Sequence, residues 1–266
     1  LSAVRATFFS DAADAFATQP SGRNLVLHSS SASLVSGNLI LANLPTLDLE
    51  RIGQHLRPTL LHQGQMLYQA GRPVDAVYFV TAGMVSITIP SDKGEPVEVG
   101  IIGPEGVSGA INAVTEQPTH TDCMVQIRGK ALVMPADVFR EEFKRGGALQ
   151  NRVLQFFLHL QMVGAQCAMC NTQHSLEERL ARWLLMVRDR VHSDEMELTH
   201  EFISQMLGVR RSGVTITAGA LRTAGTIEYS RGMVRILNSE SLQTIACECY
   251  PQIRRHLHLL TEQLKA

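Results

Sequence analysis

The chain has 266 residues, 45% hydrophobic and 18% charged, with a formal net charge of -1. That length accommodates two ordinary domains with real cores, and the charge balance excludes a uniformly basic coat for nucleic acid while leaving a local basic patch open. Five cysteines in a chain this long make no disulfide framework. No run of about 18 apolar residues predicts a membrane span, and polar residues break every apolar stretch near the start, so no signal peptide is expected. Together these features point to a cytoplasmic, reducing compartment and no membrane partner.

Residues 1–37 are rich in Ala, Ser and Thr and lack periodicity, and Ser29-Ser30-Ser31-Ala32-Ser33 buries too little to offset its ordering entropy. They read as a partly disordered tail, and the opening Leu as a trimmed or non-standard start. Residues 38–145 read as a β-rich domain after a short helix. Strand-like runs cover Leu60-Leu61-His62, Val77 to Val80, Met84 to Ile89, Val97 to Ile102, Cys123 to Ile127 and Ala131 to Met134. Turns are expected at Ala82-Gly83, Pro90 to Gly94, Gly103-Pro104 and Arg128-Gly129. Short strands at this spacing predict a sandwich, barrel or jelly roll.

After Pro135 the pattern turns helical. A short helix is expected at 136–144, then a break at Gly146-Gly147, then a long helix beginning near Ala148 within a dimerisation segment of 146–174. Its apolar positions Leu149, Val153, Phe156, Leu160, Val163, Cys167 and Cys170 alternate four and three apart. A 3.5-residue period favours a supercoiled pair, so this seam predicts a homodimer. The capping box at that helix's end places its last residue near Asn171: Ser175 with Glu178 starts the next helix, which buries Leu176, Leu180, Trp183, Leu184, Val187 and Val191.

Residues 175–266 carry the most specific signal. Thr199 caps a helix from His200 to Leu207, and Gly208 supplies a left-handed turn with Val209 as a plug. A second helix from about Arg210 to Thr223 turns Val214, Ala218 and Leu221 inward, and strands Thr226–Tyr229 and Met233–Leu237 flank a turn at Ser230-Arg231-Gly232. This is the order of a winged helix-turn-helix. Residues 208–236 hold five arginines, no lysine and one acid, Glu228, a local excess of +4 in a chain of net -1. Arg210 and Arg211 open the second helix, where side chains reach base edges and the helix end favours phosphate. Ser212 and Thr215 share that outward face, Arg222 adds charge further along, and Arg231 and Arg235 are placed to grip backbone phosphate from the hairpin. Gly213 and Gly219 inside this helix each cost about 1 kcal/mol relative to Ala; close approach to DNA or to the first helix is the expected reason. From Ser241 the chain is helical again, broken at Tyr250-Pro251, with Ile253, Leu257, Leu260 and Leu264 on one face.

On Gly64-Gln-Met-Leu-Tyr-Gln-Ala-Gly71, on Asp75-Ala-Val-Tyr-Phe-Val-Thr-Ala-Gly83, and on Leu198 through Thr215, the region from about 38 to 240 resembles the bacterial cAMP-receptor-protein/fumarate-nitrate-regulator (Crp/Fnr) family. The resemblance implies an α+β chain: an N-terminal β-roll of the cyclic-nucleotide-binding, jelly-roll type, a long dimerisation helix and a C-terminal winged helix-turn-helix. It implies a homodimer on an inverted repeat of double-stranded DNA, RNA polymerase as a further partner, and a small-molecule effector. The stretch matching the family's phosphate cassette runs from Gly103 to Asn112 and Pro118 to Cys123, which nominates Glu105, Gly106, Ser108, Thr119 and Thr121 as the effector pocket. Nucleotide-binding members carry an arginine there to neutralise the cyclic phosphate, and none lies between Ile102 and Ile127. Cyclic AMP and cyclic GMP are therefore not expected as ligands. The family's iron–sulfur sensors use N-terminal cysteines, and the first cysteine here is Cys123, so no such cluster is expected. The reader departs as well: a family arginine-glutamate pair is Arg211-Ser212 here, and a further base-reading arginine is Ile216, which predicts a different operator.

Cys167, Cys170 and His174 share one face only if the long helix reaches His174, so a thiol or metal switch at Cys167/Cys170 is the minor expectation, with small soft residues filling the seam as the ordinary one. Cys247 and Cys249 read as packing, since Cys-x-Cys alone is a poor chelate. No His-Glu-x-x-His, nucleophile elbow or P-loop occurs, and Cys167-Ala-Met-Cys170 lies late in a helix rather than at a redox-type helix start, so no enzyme is expected. A ligand-sensing scaffold without DNA binding is the remaining alternative, opposed by the arginine pair after Gly208.

Overall fold

The computed structural model describes residues 35–91 and 96–265. Expectations for residues 1–34, and for most of the turn from Pro90 to Gly94, fall outside the described residues. Order begins before residue 38, because Val35 is already buried in the core. Two short helices follow, α1 (Leu39–Ala42) and α2 (Thr46–Gly53). Asn38 caps α1 and, fully buried, donates through Nδ2 to Val80 O and Gly106 O, each at 2.8 Å.

The β-roll comprises β1 (Arg57–Leu61), β2 (Met66–Tyr68), β3 (Ala76–Ile89), β4 (Val97–Ile102), β5 (Val107–Ser108) and β6 (Asp122–Pro135), with helix α3 (Ala110–Thr115) before β6. The main antiparallel path is β1-β6-β3-β4, with β2 on β6 and β5 on β3. The expected turns at Ala82-Gly83 and Arg128-Gly129 are not turns. Each lies inside a 14-residue strand, where the β3–β6 register shifts between Val80 and Val85. The reason is that the two glycines kink together: a Cβ on Gly129 would sit 1.9 Å from Ala82 O, and one on Gly83 2.5 Å from Ile127 O. Glycine in a strand marks such a bulge as readily as a chain reversal.

Helix α4 (Ala136–Lys144) leads to α5 (Ala148–Gln173), 26 residues long. By length and mean hydropathy alone α5 would pass for a membrane span, although Gln150, Asn151, Arg152 and His159 interrupt its apolar residues. Its heptad seam is largely covered within the chain itself. Leu149, Val153, Phe156, Val163 and Cys170 are buried within the chain, Leu160 packs 3.1 Å from where a Cβ on Gly100 would stand, and Cys167 is half-buried. Phe156 fills the space over Gly106, where any Cβ would meet its ring at 2.2 Å. Each such fully buried side chain contributes about 1.5–3 kcal/mol; Leu149, Val153 and Phe156 pack in the core of the roll, Val163 in the core of the reader side and Cys170 with Cys247 and Cys249. The other face carries exposed Leu154, Leu158, Met162 and Met169.

The C-terminal part consists of α6 (Leu176–Val191), β7 (Glu195–Glu197), α7 (His200–Leu207), α8 (Arg211–Thr223), β8 (Ile227–Ser230), β9 (Met233–Ile236), α9 (Ser239–Ile245) and α10 (Cys249–Lys265). The capping box at Ser175 and Glu178 is present, and β7-β9-β8 form one antiparallel sheet. The expected break at Tyr250-Pro251 lies instead just before Cys249. Pro251 occupies the first turn of α10, where its missing N–H costs nothing. Helix α10 joins both cores: Tyr250 and Ile253 pack with the reader and α6, whereas Leu260 and Leu264 join the core of the roll, and Arg152 Nε donates to Leu264 O at 3.2 Å. The last helix is thus folded back along α5 and ties the segment 175–266 to the roll.

Candidate nucleic-acid interface

The reader is built as its residue types require. Thr199 Oγ1 accepts from Phe202 N at 3.1 Å to start α7, and Gly208 at φ +63 ends it. Val214, Ala218 and Leu221 of α8 are buried with Ile203, Met206 and Leu207 of α7. This fixes the outer face of α8 by subtraction: Arg211, Ser212, Thr215 and Ile216 point outward, with Ile216 75% exposed. Arg210 is the N-cap and supplies no side-chain cap bond, so the first-turn N–H groups keep the anion-attracting character of an open helix end. The Arg211 side chain is 70% exposed, and its nearest acid, Glu201, is 3.9 Å away, a pairing worth little at the surface.

Not all the nominated residues converge. Arg210, Arg211 and Ser212 cluster at the start of α8, whereas Arg222 lies eleven residues on, roughly 16 Å along the axis, among the helix's C-terminal carbonyls. Arg231 is exposed at the wing turn with φ +51, beside Gly232 at +81. Thr215 Oγ1 is 3.0 Å from His200 Nδ1 and also donates to Arg211 O at 3.1 Å, so it ties α8 to α7. Arg235 does not reach out for phosphate: it pairs with Glu195 and Glu228 on the two neighbouring strands. Gly213 meets Leu176 of α6, 3.2 Å from its would-be Cβ, rather than the first helix, and nothing within 4 Å explains Gly219.

Two families match this architecture in the same order: the cyclic nucleotide-binding domain over residues 58–145 and the Crp-like helix-turn-helix domain over residues 178–245. The chain belongs to the Crp/Fnr family of transcription regulators. It is 23% identical over 208 residues to the global nitrogen regulator of Synechocystis sp., covering 72% of this chain and 91% of that one. Its fold is similar to that of a Crp/Fnr-family regulator from Eubacterium rectale (TM-score 0.63, 19% identity, 77% of this chain and 96% of the other). It is likewise similar to that of FixK2 from Bradyrhizobium japonicum (TM-score 0.61, 16% identity, 72% and 98%). The Synechocystis relative is named as a regulator and the Eubacterium rectale protein as a transcriptional regulator, and this chain is a DNA-binding transcriptional regulator with a cyclic-nucleotide-binding type of sensory domain.

In this Crp/Fnr regulator the nominated effector residues are engaged by partners within the chain. Glu105, almost fully buried, accepts from Arg190 Nε at 2.7 Å, and Arg190 also donates to Met186 O at 3.0 Å. The cassette acid therefore points at the reader's helix α6 and away from the roll. Gly106 is spent on Phe156. Ser108 is buried with Tyr68 OH at 3.3 Å and Cys123 Sγ at 3.1 Å, and burial pushes the Cys123 thiol up to about 12. Thr119 and Thr121 hydrogen-bond each other at 3.1 Å beside that cluster, while Thr119 N and O pair with Arg72 O and Gly71 N.

Sequence reasoning missed the residues that join the halves. Glu98 on β4 accepts from Trp183 Nε1 at 2.9 Å and from Ser86 Oγ at 2.7 Å, and burial raises its carboxyl to about 7. His200 stacks on Tyr229 with centroids 4.1 Å apart, and Tyr229 OH donates to Leu198 O at 3.0 Å, clamping the wing to α7. Only the basic cluster had a sequence signal; these pairs join residues 12 to 85 positions apart, or stack across helix and strand, without any periodic trace.

Proposed function

We propose that this regulator acts as a homodimer on an inverted repeat, with α8 in the major groove. The supporting observation is the exposed, weakly paired Arg211 at the open start of α8. Arg211 pairs a guanine through O6 and N7, Ser212 adds a contact to a neighbouring base or phosphate, and exposed Ile216 packs on a thymine methyl where the family resemblance implies an arginine. Arg210, Arg222 and Arg231 contact phosphate. Thr215 orients α8 through His200.

The proposed dimer face is the outer stripe of α5, Leu154, Leu158, Met162 and Met169, instead of the inner seam. A stripe of large apolar side chains exposed along one helix is the mark of a partner surface. Cyclic AMP and cyclic GMP are not the effectors: Glu105 is held by Arg190, Ser108 by Tyr68 and Cys123, and the stretch has no arginine for the phosphate. RNA polymerase, a different small effector and a cytoplasmic setting complete the reading.

Selection of binding sites from random duplexes tests it. The expected result is a two-fold symmetric site with half-sites about 10 bp apart, bound by a dimer in sedimentation, with Leu158→Glu monomeric and at least tenfold weaker on DNA. An asymmetric site bound by a monomer contradicts the proposal.

A further inference from the structure

Four metal-binding side chains converge where α5 ends. The helix runs to Gln173 rather than stopping near Asn171, so Cys170 and His174 stand one turn apart at its close, His174 being the C-cap. Cys247 and Cys249 come from the break between α9 and α10. One donor atom from each of the four lies within 4.8 Å of every other. Cys170 Sγ is 3.4 Å from Cys247 Sγ, and Cys249 Sγ is 3.7 Å from His174 Nδ1. A tetrahedral zinc ion with Zn–S about 2.3 Å and Zn–N about 2.0–2.1 Å needs donor separations of roughly 3.5–3.8 Å. The Cys249–His174 separation falls inside that range and the Cys170–Cys247 separation just below it, and since no edge exceeds 4.8 Å the rest close by about 1 Å.

The surroundings fit a metal better than packing. The three thiols form a cluster of their own, apart from both hydrophobic cores, with Cys170 and Cys249 fully buried and Cys247 nearly so. His174 Nε2 lies 3.0 Å from Glu248 Oε2, the arrangement that fixes the tautomer and leaves Nδ1 to bind a cation. Gln166 Nε2 donates to Cys249 Sγ at 3.2 Å. Cys167 stands outside the cluster, accepting from Arg182 Nη1 at 3.1 Å, so the pair singled out from the sequence is split.

We propose that Cys170, His174, Cys247 and Cys249 bind one zinc(II) ion per chain. Binding replaces three S–H bonds by three Zn–S bonds and releases three protons to solvent, so apparent affinity rises with pH. All four positions are filled by protein, which makes the site structural rather than catalytic. It clasps the last turn of α5 to the start of α10, one residue before the N-cap of α6, and so fixes the joint at which the reader leaves the long helix. This inference stands apart from the DNA-reading proposal, since metal binding needs no operator.

Cobalt(II) titration of the reduced full-length protein provides the test. One equivalent is expected to give tetrahedral d–d bands and thiolate charge-transfer absorption, both displaced by zinc(II). Cys247→Ser removes the charge-transfer signature or shifts it to a weaker two-thiolate form, Cys167→Ser leaves it unchanged, and Glu248→Gln weakens binding by about 10–100-fold. The wild-type spectrum decides the matter even if Cys247→Ser folds poorly. No stoichiometric uptake, an octahedral spectrum, equal loss in Cys167→Ser, or a Cys170–Cys247 disulfide formed in air with zinc(II) in excess would each overturn the site.

Discussion

The reader and the sensory roll handle polar side chains in opposite ways. On α8, Arg211, Ser212 and Ile216 are exposed, while the structural work falls to Val214, Ala218 and Leu221 on the inner face. In the roll, the polar residues that the family places around an effector are buried and already partnered: Glu105 with Arg190, Ser108 with Tyr68 and Cys123, Thr119 with Thr121. A surface built to bind leaves donors without strong partners, because binding must supply what folding did not. The same residue types buried and satisfied internally hold the fold instead, and one of these pairs, Glu105 with Arg190, pins the sensory half to the DNA-binding half.

The sharpest way to break this contrast is to remove one partner of the buried pair. Glu105→Ala leaves the Arg190 guanidinium buried without its carboxylate and is expected to cost about 3–5 kcal/mol in denaturant unfolding. Replacing both by apolar residues of similar volume recovers most of that loss. A cost below about 1 kcal/mol for the single change would mean that Glu105 is free to serve a ligand.

Glu98 gives the next effect, through pH. Its carboxyl is raised from 4.5 to about 7, so the folded protein holds the proton more tightly than the unfolded chain. The stability this contributes is fully present below about pH 4.5 and is lost as pH rises through 7, a change of up to about 3 kcal/mol. Glu98→Gln keeps an acceptor for Trp183 and removes the titration. Its stability advantage over the wild type should be absent at pH 4.5 and largest at pH 8. Equal pH profiles would place the carboxylate in contact with solvent.

The smallest effect concerns Gly219. Nothing lies within 4 Å of the Cβ it lacks, so Gly219→Ala should stabilise the free protein by about 1 kcal/mol. If operator affinity falls at the same time, DNA backbone approaches α8 at that point and the glycine has its explanation; if affinity is unchanged, it has none.

Much of the fold was legible because its signals are local. The α8 face follows from helical period, the turn at Gly208 from backbone freedom, and α6 from a capping box. Reading failed where the partner is distant. The heptad spacing of α5 marks a buried face, but periodicity does not say against what; within the chain the roll, the reader-side core and the cysteine cluster cover it in turn, with Phe156 over Gly106. Gly83 and Gly129 looked like turns because a strand bulge uses the same residue. The cysteine cluster was invisible because Cys170 and Cys247 are 77 positions apart and meet only once α10 folds back along α5.

The central claim is that Arg211 reads a base while Arg231 only holds phosphate, and binding-site selection with both alanine variants across a salt series tests it most directly. Arg211→Ala should cost about 1–3 kcal/mol per half-site and relax the preference at one base pair. Arg231→Ala should weaken all sequences alike and lower the salt slope by about one unit per half-site. An unchanged base preference in Arg211→Ala would contradict the account, whatever happens to affinity.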